Sequence, residues 1–148
     1  MNKFAMNIKK LNEKAVVPTY GSACAAGADL DACEDAPVVV APGETKLVHT
    51  GLAMEIPTGL VGLIYARSGL ASKKGLAPAN KVGVIDSDYR GEIMVALHNH
   101  GSVVQTVEAG ERIAQIVFAP YYAAEFAVVD SLDDTARGAG GFGSTGTK

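Results

Sequence analysis

Short apolar runs recur along this chain between glycine, proline and acidic punctuation. They are Val38 to Val40, Lys46 to Ile56, Leu60 to Tyr65, Lys81 to Ile85, Glu92 to Asn99, Arg112 to Phe118 and Glu125 to Val129. Several alternate apolar with polar residues, as in Lys46-Leu47-Val48-His49, which is the period of a half-buried strand. Ala41-Pro42-Gly43, Pro57-Thr58-Gly59 and Asn99-His100-Gly101 separate the runs as turns. Many short strands at this spacing predict an all-β sandwich or barrel. One helix is expected, over Ser68 to Lys74, with Ser68 as its cap and Gly75 ending it. Lys81 to Ile85 and Glu92 to Asn99 read as two strands of a hairpin.

At that hairpin's tip, Asp86, Asp88, Tyr89 and Arg90 fall within five positions. A turn needs only one or two residues such as Asp, Asn or Gly. Carboxylates, a flat ring and a guanidinium together suit a place where a charged small molecule is held and water is activated. A solvated turn with a local ion pair uses the same residues, so the turn alone does not decide.

The length of 148 residues predicts one domain, and 48% apolar residues supply a core. A formal charge of −3 gives no basic face for a nucleic-acid backbone, so no nucleic-acid partner is expected. No stretch approaches a membrane span and the start lacks a signal-peptide core, so the protein is expected to be cytoplasmic, away from membranes. Cys24 and Cys33 suit a reducing compartment, lack metal spacing and read as core or near-core residues. His98 and His100 share one strand face, without a third ligand.

The end of the chain changes character. Residues 1–130 read as the β-domain; residues 131–148 as a polar linker and a flexible glycine-rich arm. Arg137, Phe142, Ser144 and Thr145 stand among its glycines, where freed amides and hydroxyls suit phosphates and a ring suits a flat base. Two G-x-G-x-x-G matches in the arm are rejected, because the helix and strand that fingerprint needs have no room to follow.

Five segments in order resemble the trimeric deoxyuridine triphosphatase (dUTPase) family. They are A-G-A-D-L-D-A from Ala26, A-R-S-G-L-A-S-K-K-G-L from Ala66, N-K-V-G-V-I-D-S-D-Y-R-G-E-I from Asn80, G-E-R-I-A-Q-I-V-F from Gly110 and R-G-A-G-G-F-G-S-T-G from Arg137. The family usually carries an aromatic residue where Ala28 lies. The resemblance implies a distorted jelly-roll-like barrel, a homotrimer with shared sites, and hydrolysis of dUTP to dUMP and pyrophosphate with Mg²⁺ on the triphosphate. It makes Asp86 the group that orients and deprotonates water. Tyr89 would pack against the deoxyribose and exclude ribose. Asn80 and the backbone through Val84 and Ile85 would read uracil, an amide supplying donor and acceptor together. Arg67, Ser68 and Gly69 would bind phosphates, with Ser68 at the α–β bridge. Gln115 matches a glutamine near the phosphates, though a mid-strand polar residue also reads as solvent-facing. Met94 matches a position beside the nucleotide, or core packing. Arg137, Phe142, Gly143, Ser144 and Thr145 match a closing arm, with Phe142 over uracil and Arg137 on the γ-phosphate. Asp29 would lie near the metal's water shell or buttress Arg67. Two other readings are a dUTP-binding regulatory module and a dCTP deaminase of the same fold.

Overall fold

The computed structural model describes residues 3–141. In chain order the elements are β1 (Asn7–Lys10), β2 (Ala28–Asp31), β3 (Val38–Val40), β4 (Thr45–His49), β5 (Leu52–Glu55) and β6 (Leu60–Tyr65). Next come α1 (Ser68–Lys74), β7 (Leu76–Pro78), β8 (Gly83–Ile85), β9 (Met94–Asn99), β10 (Gln105–Val107) and β11 (Arg112–Pro120). The strands form antiparallel sheets ordered β2-β11-β6-β8 and β4-β9-β7, with the pairs β1-β5 and β10-β3. This all-β arrangement is the fold class that the alternating runs predict, and its jelly-roll-like form is the one that the family resemblance implies.

Alternation decides which faces close on the core. Along β9, Val95, Leu97 and Asn99 point inward and the residues between them are half-buried. Leu30, Val40, Val48, Leu52, Ile113 and Ile116 meet them in one apolar cluster. Fully burying such side chains contributes roughly 1.5–3 kcal/mol each. Asn99 is the polar exception, and it is satisfied. Its Nδ2 donates to the carbonyls of Val40 (2.9 Å) and Val103 (2.8 Å), and its Oδ1 accepts from the Gly101 amide (2.9 Å). Asn99→Ala should cost about 3 kcal/mol, because it strands buried backbone groups. A lower urea midpoint with an unchanged m-value is the expected reading, and an unaltered midpoint contradicts it.

Helix α1 and strand β6 occupy the predicted spans. Gly75 ends the helix at φ 68°, its amide donating to Ala71. The run Lys46 to Ile56 divides into β4 and β5 at Thr50-Gly51. Gly51 has φ +66°, and a Cβ there would stand 2.9 Å from Ala15 Cβ and from Cys33 Sγ. Chain reversal and close packing both require glycine at this point. Cys33 packs beside the core as expected, whereas Cys24 is exposed. The core reading of Cys24 is therefore corrected.

Two further expectations fail for non-local reasons. The segment between β8 and β9 is not a hairpin. β8 pairs with β6, and β9 pairs with β4 and β7. Residues 86–93 therefore cross from one sheet to the other, and the Ile93 amide is anchored on the Leu52 carbonyl at 2.8 Å. Glu125 to Val129 forms no strand, and no described strand pairs with it. Beyond β11, Tyr122, Phe126, Val128 and Leu132 are almost wholly exposed. Strands β1, β2, β7 and β10 were not foreseen. The sequence NIKK of β1 carries no apolar alternation, and its register with β5 makes it a strand.

Candidate active site

One cavity of about 700 Å³ lies where β2, β11 and the start of α1 meet. Its lining includes Asp29, Arg67, Ser68, Gly69, Arg112 and Gln115. Arg67, with extended backbone, holds the N-cap position, and no side chain caps the helix. The capping role expected of Ser68 is thereby corrected: Ser68 is the first helical residue, and its hydroxyl is not spent on a cap. The first amides of a helix lack intrahelical acceptors. The first turn here contains no acidic residue, and Lys73 and Lys74 sit in the last turn.

Asp29 organises the cations. Its Oδ1 accepts from Arg67 Nε at 2.9 Å and its Oδ2 from Arg112 Nη1 at 3.2 Å. Arg67 Nη1 also donates to the Arg112 carbonyl at 3.2 Å. One carboxylate thus fixes two guanidinium groups and leaves the trio with one net positive charge, an arrangement that suits an anion. Across the ladder from Arg112, burial and then the like charge of Asp29 raise the carboxyl pKa of Asp31.

Arg112 was not singled out from sequence, and the reason is geometric. In the β11–β2 ladder Arg112 faces Asp31 and Ala114 faces Leu30, so Ile113 is an extra residue, a β-bulge. Ile113 and Ala114 are consecutive and both buried. In a regular strand, residues three apart point to opposite faces. The bulge brings Arg112 and Gln115 to the same cavity. The only sequence signal was its place in the G-E-R-I-A-Q segment. Gln115 is half-buried rather than solvent-facing. Its Nε2 donates to the Ala66 carbonyl at 2.9 Å, which steadies the turn into Arg67 and Ser68. Its Oε1 lies against Gly27, where a Cβ would collide with it.

A second cavity, of about 230 Å³, opens where the chain leaves β8 for β9. Val84, Ile85, Asp86, Tyr89, Glu92 and Met94 line it. The Tyr89 amide closes a turn on the Asp86 carbonyl at 3.2 Å, and the Tyr89 hydroxyl donates to the Glu92 carbonyl at 3.0 Å. Arg90 does not join this group. Its Nη1 donates to the carbonyls of Ser87 (2.7 Å) and Tyr89 (3.0 Å), and its Nη2 lies 3.8 Å from Glu55. It braces the turn, which corrects its expected place beside Asp86. Asn80 stands next to Gly83, with Lys81 at φ 66° after it, and does not line this cavity.

The two cavities share no lining residue; the first reaches the β2 edge of the four-stranded sheet and the second its β8 edge. Asp29 is in β2 and Val84 in β8, with β11 and β6 between. Three strand spacings separate the edges by roughly 14 Å. Arg137 is exposed and donates from Nε to the Gly140 carbonyl at 2.8 Å, outside both cavities. Phe142, Gly143, Ser144 and Thr145 lie outside the described residues. Among the described residues, no three His, Cys, Asp or Glu side chains cluster as a metal site. No helix among them is long and apolar enough to cross a membrane.

Behind the second cavity, His49 Nδ1 and Glu92 Oε2 are 3.0 Å apart. That hydrogen bond raises the His49 pKa above 6.5; burial opposes it, and the charges of Glu92 and Glu34 add to it. A raised folded-state value means that the contribution is fully present below the unfolded pKa and is lost as pH rises through the folded one. With half the imidazole side chain exposed, the effect is modest. Urea midpoints should fall slightly as pH climbs through and above about 6.5, and His49→Ala should flatten that slope. Equal slopes in both proteins contradict the linkage.

The dUTPase family model matches residues 13–146. The deoxyuridine 5′-triphosphate nucleotidohydrolase of Desulfitobacterium hafniense is 56% identical over 131 residues, 88% of this chain and 87% of the relative. That of Hahella chejuensis is 48% identical over 141 residues, 95% of this chain and 93% of the relative. The Staphylococcus bacteriophage 80alpha dUTPase, solved with dUPNHPP, superposes with a TM-score of 0.89 at 29% identity, covering 97% of this chain and 99% of that one.

Proposed function

The chain belongs to the dUTPase family and is a dUTP diphosphatase; from that premise we propose that it hydrolyses dUTP by in-line attack of an Asp86-activated water on the α-phosphorus. The products are dUMP and pyrophosphate, so the enzyme lowers dUTP and supplies dUMP for thymidine nucleotide synthesis in the cytoplasm. The observation that carries this reading is the cationic cavity in which the uncommitted Ser68 hydroxyl stands beside two guanidinium groups fixed by Asp29.

Each residue has a physical task in this reading. Tyr89 lies against the deoxyribose, with Val84, Ile85 and Met94 around the nucleoside and Asn80 on the uracil edge. Asp86 holds a water at the α-phosphorus and takes its proton. As the bridging oxygen leaves, negative charge grows on it, and the Ser68 hydroxyl, the Gly69 amide and Arg67 meet that charge. Such contacts strengthen in the transition state and so raise kcat. Gln115 keeps the Ala66–Ser68 turn in place. Arg137, Phe142, Gly143, Ser144 and Thr145 close the site and exclude bulk water.

The donor set fits a Mg²⁺ ion carried by the substrate. Asp29 turns both oxygens to arginines, so phosphate oxygens and water would hold the ion, with Asp29 reaching it at most through water. Bound there, the ion neutralises phosphate charge and orients the triphosphate.

A homotrimer with shared sites completes the proposal. Two observations support it: the two half-sites share no lining residue, and Tyr122, Phe126, Val128 and Leu132 are exposed. Large apolar side chains in water on one segment favour a partner surface.

The test is pyrophosphate release with Mg²⁺ from dUTP, dCTP, dTTP and UTP. Turnover of dUTP alone is expected. Tight dUTP binding without turnover would move the assignment to a regulatory module, and ammonia release from dCTP to the deaminase branch.

A further inference from the structure

The tyrosine of the nucleoside cavity is held from behind. We propose that Gly91 and Glu92 are positioning residues that set the depth of the Tyr89 ring and thereby the preference for a 2′-deoxy sugar. This rests on the reading that Tyr89 faces the sugar.

Gly91 is absent from the residues with positive φ, so no turn geometry calls for glycine there. Its lack of a side chain does. A Cβ at Gly91 would collide with the Tyr89 hydroxyl and stand 2.6 Å from Cζ and 3.0 Å from Cε2. The edge of the ring rests on bare backbone, and any side chain would displace it.

The hydroxyl is fixed as well. It donates to the Glu92 carbonyl at 3.0 Å, and that carbonyl has little freedom. The Glu92 carboxylate accepts from the Gly51 amide at 2.8 Å through Oε1 and bonds His49 Nδ1 at 3.0 Å through Oε2. Gly51 is itself confined between Ala15 and Cys33. The following residue, Ile93, is buried and its amide is bonded to Leu52. Side chain and main chain thus tie Glu92 to the β4–β5 turn. The ring pose is set by a turn, Thr50-Gly51, that does not itself line the nucleoside cavity. A ring so held resists the push of an added 2′-hydroxyl; a loosened ring yields to it.

The readout is the ratio of kcat/KM for dUTP to that for UTP. Gly91 is exposed, so Gly91→Ala leaves the core intact. It should lower the ratio about tenfold, chiefly by raising KM for dUTP. Glu92→Ala should lower it by a similar factor, chiefly by raising UTP turnover. Glu92→Gln should restore most of the preference, because its amide oxygen still accepts from Gly51. A purely structural role would depress both substrates together and leave the ratio intact. Ratios within twofold of wild type in Gly91→Ala and Glu92→Ala overturn the proposal. Should Glu92→Ala fail to fold, Gly91→Ala decides alone. A wild-type protein that fails to prefer dUTP to UTP removes the underlying reading and this inference with it. A wild type that discriminates beside equally discriminating variants removes only the inference.

Discussion

Asp86→Asn is expected to reduce kcat for dUTP about 10³-fold, equivalent to about 4 kcal/mol of transition-state stabilisation. Asparagine keeps the size and can still hold a water by hydrogen bonding, but cannot take its proton at neutral pH. The carboxylate is exposed and forms no ion pair among the described residues, so folding does not depend on it. KM and the melting temperature should therefore stay close to wild type, and the loss should fall on kcat. Single-turnover pyrophosphate release at saturating dUTP separates chemistry from product release. A variant retaining more than about a tenth of wild-type kcat would be incompatible with general-base catalysis by this residue.

Mixing two inactive variants should restore activity. Asp86→Asn disables the cavity at the β8 edge, and Ser68→Ala weakens the phosphate cavity at the start of α1. If each site combines the β8 edge of one subunit with the phosphate cavity of another, some sites in a mixed trimer receive two intact halves. Random assortment of equal amounts gives such pairings at about a quarter of the sites. After co-refolding, turnover should rise to about that fraction of wild type, from about a hundredth or less for either variant alone. Light scattering of the same sample should give three times the 15.2 kDa chain mass. A mixture no more active than its parents would place both halves of each site in one chain.

What could be read without coordinates was local. Leu60 to Tyr65 is apolar and lies between Gly59 and the Arg67-Ser68 turn, so its strand needed no knowledge of partners. Ser68 to Lys74 ends at a glycine, and a left-handed glycine is what stops it. Asp86 and Tyr89 stood out because their segment carries more chemistry than a turn requires, whereas Arg67 and Ser68 stood out only through the resemblance of their segment to the dUTPase family.

Register and pairing were decided elsewhere in the molecule. The link between Ile85 and Met94 has the composition of a hairpin, and only the competing partners β6, β4 and β7 turn it into a crossover. Glu125 to Val129 has strand-like composition, but no described strand pairs with it. The extra residue Ile113 reverses the inside–outside phase of β11 and brings Arg112 to Asp29, which no periodicity could foretell. The chain alone therefore determined the fold class, the helix and most of the chemical groups. Tertiary structure decided which edges meet, how deep Tyr89 sits and which cations share Asp29, because those depend on contacts between residues far apart in sequence.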